Sequence, residues 1–162
     1  MEKLTALKTI LFMLFVPGAL LVLLPCALAG RDVALFSFGV FHWLAVPCWG
    51  AGAAIMIWCA WAFTVRGHGT PLPTDPPKDL VVSGLYRFTR NPIYVGVVLF
   101  LLGYGFWVPT RAILLMPLLV AVSSHLFVIF YEEPHLQKIF GAAYVAYCQS
   151  VPRWIPRMGK RR

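Results

Sequence analysis

An all-α protein that crosses a membrane about four times is the fold class predicted by this sequence, on three observations. Of its 162 residues, 60% are hydrophobic and only 12% are charged, with a mean hydropathy of +0.77. Soluble chains are roughly one-quarter charged, and a single domain of 18.1 kDa cannot hide this much apolar side chain from water. Second, the apolar residues fall in four long runs. Third, the bases cap those runs instead of interleaving with aromatic residues on a polar segment. The net charge of +8 therefore suits anionic lipid headgroups rather than nucleic acid.

The runs cover residues 9–29, 43–65, 92–108 and 112–131, each free of Asp, Glu, Lys and Arg. At about 1.5 Å per residue they reach roughly 25–35 Å, which matches a hydrocarbon core near 30 Å. The first run contains Pro17 and Pro25. With Lys3 and Lys8 ahead of it and Ala27-Leu-Ala29 behind, it also fits a signal peptide. Its apolar stretch is longer than a usual signal, so it reads as a span. The third run is the shortest. Only Pro109, Thr110 and Arg111 separate it from the fourth, so the two should form a tight helical hairpin. The whole chain, 1–162, reads as one membrane domain with a loop at 66–91 and a tail at 132–162.

Charge placement orients this bundle. With four spans, both termini and the middle loop share one side, which holds twelve of the fourteen Lys and Arg residues. Arg31 and Arg111 alone fall on the other. The positive-inside rule then places the termini and the middle loop in the cytosol. In that loop, four prolines within residues 70–77 preclude a helix and predict a stiff extended segment. In the tail, Leu136, Phe140, Tyr144 and Tyr147 fall on one helical face and predict a short interfacial amphipathic helix. The run from Val151 to Pro156 should close it with an extended turn anchored by Trp154.

Three groups of residues could carry chemistry. Asn91 followed by Pro92 reads as an N-cap and first helical position. The third span then begins at the cytosolic interface, with free N–H groups beside Arg87 and Arg90, which suits an anion; an ordinary span start with basic flanks is the plain alternative. Gly96, Gly103 and Gly105 permit either close helix packing or approach of a flat ligand to the backbone. Glu132 and Glu133 sit where the fourth span should end. There they oppose the helix dipole and call for a cationic or hydroxyl-bearing partner, in the protein or in a ligand. His125 lies mid-span beside Ser123 and Ser124; an ionisable residue there points to function, with a hydrogen bond to a neighbouring helix as the plain alternative. The four cysteines lack CxxC spacing, and Glu132-x-x-His135 occurs once where a di-iron bundle needs two copies, so no metal site is expected.

Read together, Gly84-Leu-Tyr-Arg87, Arg90-Asn-Pro-Ile-Tyr-Val-Gly96, Gly103-Tyr-Gly105, Glu132-Glu-Pro134, Phe140-Gly141, Tyr144, Tyr147 and Val151-Pro-Arg-Trp-Ile-Pro156 form an ordered set. It resembles the integral membrane methyltransferases typified by isoprenylcysteine carboxyl methyltransferase and phosphatidylethanolamine N-methyltransferase. The resemblance covers about residues 70–157. It implies S-adenosylmethionine (SAM) bound on the cytosolic side and a lipophilic or lipid-linked acceptor entering laterally between helices. Carried over by position, it implies that Arg90, Asn91, Pro92, Tyr94, Gly96, Gly103, Gly105, Glu132 and Glu133 hold the cofactor. Glu132 would also align the substrate and is the catalytic candidate.

Two positions depart from the carboxyl methyltransferase pattern. Asn91 replaces its common histidine, and Phe127 stands where it carries an arginine ahead of the paired acids. Methyl transfer from a sulfonium asks the protein mainly to align two reactants and exclude water. The alternatives are an NADPH-dependent reductase of the sterol reductase type, which shares an Arg-x-Pro-x-Tyr-x-Gly helix start, and a small membrane scaffold without activity.

Overall fold

A computed structural model describes residues 19–29, 33–67 and 79–155. Most of the first expected span, the proline-rich loop segment and the last seven residues lie outside these. The described residues form helices and connecting segments, with no strand among them. A π-helical turn, Ala19–Leu23, leads into α1, Leu24–Ala29. A 3₁₀ turn, Gly39–Leu44, leads into α2, Ala45–Arg66. Then come a 3₁₀ turn, Gly84–Arg87, and α3, Pro92–Trp107, followed by α4, Arg111–Phe127. A second π-helical turn, Val128–Glu132, joins α4 to α5, Glu133–Phe140, and α6 spans Ala142–Ser150.

Among the described residues, two helical stretches are long and apolar enough to cross a bilayer: Gly39–Arg66, of 28 residues, and Arg111–Phe140, of 30. Pro92–Trp107 is apolar but shorter. Leu21, Met56, Leu101 and Met116 meet in one buried cluster, so the segment before α1 packs with α2, α3 and α4 around a common centre.

The α2–α3 pair is the tightest part of the bundle, and glycine makes it so. A Cβ on Gly52 would lie 2.7 Å from the Gly96 carbonyl oxygen and 2.8 Å from the Phe100 nitrogen. A Cβ on Gly96 would lie 2.9 Å from Ile55 Cγ2 and 3.0 Å from the Gly52 carbonyl oxygen. Backbone cannot rotate aside as a side chain can, so the helices would have to separate. Gly52→Ala is expected to cost about 1–3 kcal/mol by overpacking, read as a lower melting temperature in detergent. Gly50→Ala, with open space around it, should leave the melting temperature unchanged or slightly raised.

This pairing sets the two ends of the bundle. At one end Trp107 meets His42 and Trp43 edge to face and Trp49 at a tilt, and Trp49 in turn meets Tyr104 edge to face, an aromatic girdle of the kind found at membrane interfaces. The α3–α4 hairpin closes here, with the Thr110 side chain accepting from the Ile113 N–H at 3.3 Å. The other end gathers Arg66, the start of α3, the paired acids and the tail.

Two expectations are corrected at that other end. Glu132 and Glu133 do not terminate a helix, because the chain continues helically to Phe140. Pro134 cannot donate an N–H, and its ring would crowd the carbonyl one turn back; the wider π turn just before it relieves that conflict. The helix-dipole argument against these acids therefore does not apply. The tail is two short helices instead of one, broken at Gly141, whose φ of +54° favours glycine. Tyr144, Tyr147 and Val151 still bury together, with Leu136 and Phe140 packed against them.

Candidate functional site

The site is assembled by the tail folding back onto the start of α3. The Arg90 N–H donates to the Pro152 carbonyl oxygen at 2.9 Å. Thr89 Oγ1 and Asn91 Nδ2 both donate to the Arg153 carbonyl oxygen, at 2.9 and 3.1 Å, filling both of its lone pairs. Asn91 precedes α3 as expected, but its side chain makes no capping bond within the helix; it is spent on the tail. The Tyr147 hydroxyl donates to the Tyr86 carbonyl oxygen at 2.7 Å. Burial pushes the Tyr147 phenol well above its usual range, so it remains a donor. Thr89 and Asn91 are buried, where polar groups left unpaired would be costly.

The paired acids diverge. Glu133 receives a two-pronged contact from Arg153, Nε to Oε1 at 2.7 Å and Nη2 to Oε2 at 2.8 Å, the strong planar geometry of guanidinium on carboxylate. Arg90 Nη1 lies 3.0 Å from the same Oε1 and also donates to the Cys148 thiol sulfur. Glu132 turns the other way, its Oε2 accepting from the Tyr94 hydroxyl at 2.9 Å. One acid thus anchors two arginines, and the other is presented by a tyrosine from the first turn of α3.

A groove of about 510 Å³ runs between α3 and α4 beside this centre. Val95, Val98, Leu99, Leu102, Ala121 and Val122 give it apolar walls. Tyr94, Ser124, His125 and Trp154 also line it and, among the described residues, are its only groups with polar side-chain atoms. Trp154 Nε1 donates to His125 Nδ1 at 2.9 Å, which assigns the neutral imidazole its proton on Nε2. The Trp154 and Tyr94 rings meet edge to face, centroids 6.3 Å apart. Tyr94 therefore belongs both to the groove and, through its hydroxyl, to Glu132. A lipophilic chain laid in the groove would have its head near a carboxylate.

Of the residues singled out in sequence, the structure brings Arg90, Asn91, Pro92, Tyr94, Glu132 and Glu133 to one place. Gly96 and Gly103 lie in the α2–α3 contact, against Gly52 and Ile55 and against Trp49 and Ala45, while Gly105 sits 3.4 Å from Leu114 of α4, measured from an added Cβ. Sequence reasoning missed Thr89, Cys148 and Arg153 as members of the site, and Trp154 as the partner of His125. A signal for Arg153 existed, since two adjacent acids need positive partners and Arg90 supplies only one. Among the described residues no three His, Cys, Asp or Glu side chains converge as a metal site would require.

Compared with known proteins, residues 40–143 match the family model described as phospholipid methyltransferase. That region holds α2 to α5, both acids and the whole α3–α4 groove apart from Trp154. The chain is also 32% identical over 95 residues to Protein-S-isoprenylcysteine O-methyltransferase B of Arabidopsis thaliana. This similarity covers 55% of the present chain and 45% of that protein, so the matched part spans less than half of the relative's length.

Proposed function

The chain belongs to the phospholipid methyltransferase family, and from that premise we propose that it transfers a methyl group from SAM to a lipophilic or lipid-linked acceptor at the cytosolic face of a membrane. The single observation that carries the proposal is the Tyr94–Glu132 hydrogen bond, set where the apolar groove meets the arginine–carboxylate cluster. The proposed topology has four spans, with the loop 66–91 and the tail 132–162 cytosolic and the tail helices at the interface. Arg66, Arg87, Arg90, Lys138 and Arg153 would then share the cytosolic side, opposite Arg111.

The residues present suit SAM. Arg90 Nε is buried with no hydrogen-bond partner among the described residues, although buried donors are nearly always paired. A ligand carboxylate would satisfy it. When bound, SAM supplies a methyl group already activated on a sulfonium. Arg90, Asn91, Pro92 and Tyr94 form the cradle in this proposal, and Glu133 holds the Arg90 and Arg153 guanidinium groups in position. Gly96, Gly103 and Gly105 belong to it by setting how closely α3 lies to its neighbours. Glu132 is the catalytic residue: held by Tyr94, it orients the acceptor's polar head and is placed to take a proton from an amine or thiol. A carboxylate acceptor needs no such base. The α3–α4 groove takes the acceptor's apolar part, and the docked tail keeps water from the centre.

Calorimetry on the detergent-purified protein tests this reading with SAM, its demethylated product and NADPH. SAM and the product should both bind, and Arg90→Gln should weaken them by about tenfold or more, the loss of a charged hydrogen bond. NADPH binding without SAM binding would support a reductase instead. Binding of none of the three would leave a structural role.

A further inference from the structure

A second groove, of about 460 Å³, lies where the cytosolic-side end of α2 meets the 3₁₀ turn Gly84–Arg87. It shares no lining residue with the α3–α4 groove. Ala54, Ile55, Trp58, Leu85 and Phe88 form its apolar walls, with Arg87 also lining it. Gly84 makes the close approach possible: its φ is +64°, and a Cβ there would lie 2.9 Å from Trp58 Nε1 and 3.8 Å from Arg66 Nη1. Arg66 Nη1 donates to the Ser83 hydroxyl oxygen, and its guanidinium carbon lies 5.4 Å from the Trp61 ring centroid. Two guanidinium groups thus flank one apolar trough.

We infer that this trough is a docking site for one anionic phospholipid, with its phosphate held by Arg66 and Arg87 and an acyl chain against Ile55, Trp58 and Phe88. Three features favour that occupant. Trp58 and Trp61 are 48% and 47% exposed on a helix long and apolar enough to cross a bilayer, so their surroundings are lipid, and Phe88 beside them, just past the 3₁₀ turn, is 58% exposed. Exposed indoles beside arginines match the interfacial zone, where basic side chains attract anionic headgroups. Among the described residues, no acid lines the trough and Arg87 forms no ion pair. A zwitterionic lipid brings its own cation to a site that already carries two. The trough also falls within the roughly 300–1,000 Å³ of ligand pockets, large enough to retain a lipid rather than graze it. The inference rests on α2 lying in a membrane and is independent of methyl transfer.

Native mass spectrometry of the purified full chain in neutral detergent, titrated with phosphatidylglycerol, phosphatidylcholine or glycerol phosphate, tests the site. Phosphatidylglycerol should bind at least about tenfold more tightly than phosphatidylcholine. Arg66→Gln and Arg87→Gln should each weaken it about fivefold, and together roughly 30-fold, the loss expected for basic residues near an anionic lipid surface. Arg111→Gln, at the opposite end, should change nothing, and Arg66→Lys with Arg87→Lys should restore most of the affinity. SAM binding measured on the same samples should be unaffected, which separates failure here from failure of the methyltransferase reading. Equal affinity for the two lipids, or an unaltered double Gln variant, would overturn the inference. So would glycerol phosphate competing as well as the intact lipid, or cysteine cross-linking at position 58 that captures a second copy of the chain.

Discussion

Glu132→Gln should lower methyl transfer by about 10²-fold, the low end of the loss on removing a positioned base, without lowering the melting temperature. The glutamine carbonyl can still accept from the Tyr94 hydroxyl, which now meets Oε2 at 2.9 Å, so the helix contact survives and only the charge disappears. Tyr94→Phe separates the two contributions, since it keeps the carboxylate and removes what holds it; its loss should be smaller. Single-turnover transfer of labelled methyl from SAM reads both, assayed in parallel with a phospholipid amine and a prenylated cysteine. If Glu132→Gln transfers methyl at the parent rate to whichever acceptor is used, Glu132 has no part in the chemistry.

Glu133→Ala should have the largest effect on stability. Its carboxylate is 18% exposed and faces Arg153 at 2.7 Å and Arg90 at 3.0 Å, whose side chains are 31% and 11% exposed. Removing one partner of a fully buried pair costs about 3–5 kcal/mol because the stranded charge loses its compensation. With Arg153 partly open to solvent, roughly 2–3 kcal/mol is the better expectation. The loss should concentrate in the tail. Limited proteolysis should cut after Arg153 or within α6 sooner than in the parent, while α2 and α3 stay protected. Restoring the melting temperature by adding Arg90→Leu and Arg153→Leu to Glu133→Ala would confirm that unpaired charge, rather than lost packing, is the cause. No recovery would argue against it.

The legible parts of this molecule were those with local signals. Asn91 and Pro92 mark the start of α3 because proline tolerates only the first turn, and Pro109-Thr110 forces the hairpin because three residues leave no room for anything longer. The paired acids were legible as needing a cationic or hydroxyl-bearing partner, and Arg90 and Tyr94 are two of those they find. Local signals also misled. The end of the apolar run at two acids looked like a helix end, yet one wider turn absorbs the Pro134 ring and carries the helix on. Gly141 divided what the spacing of Leu136, Phe140, Tyr144 and Tyr147 presented as one face. The glycines announced a close approach without saying to what, since Gly96 needs Gly52 of another helix to explain it. Nothing local links His125 to Trp154, 29 residues away, or Thr89 to Arg153, 64 residues away.

That last separation gives the molecule a sequence of events. Ribosomes deliver the N-terminal part first, so α2, α3 and α4 can pair while the tail is still being made. The donors of Thr89, Arg90 and Asn91 must then wait for the carbonyl oxygens of Pro152 and Arg153, and Arg90 waits for Glu133 as well. A chain halted at Ser150 would hold its bundle and the Arg90–Glu133 pair, but leave the donors of Thr89, Arg90 and Asn91 without their tail acceptors. Assembly of the site therefore follows synthesis of the tail, and a nascent chain cannot close its centre before residues 152 and 153 have left the ribosome.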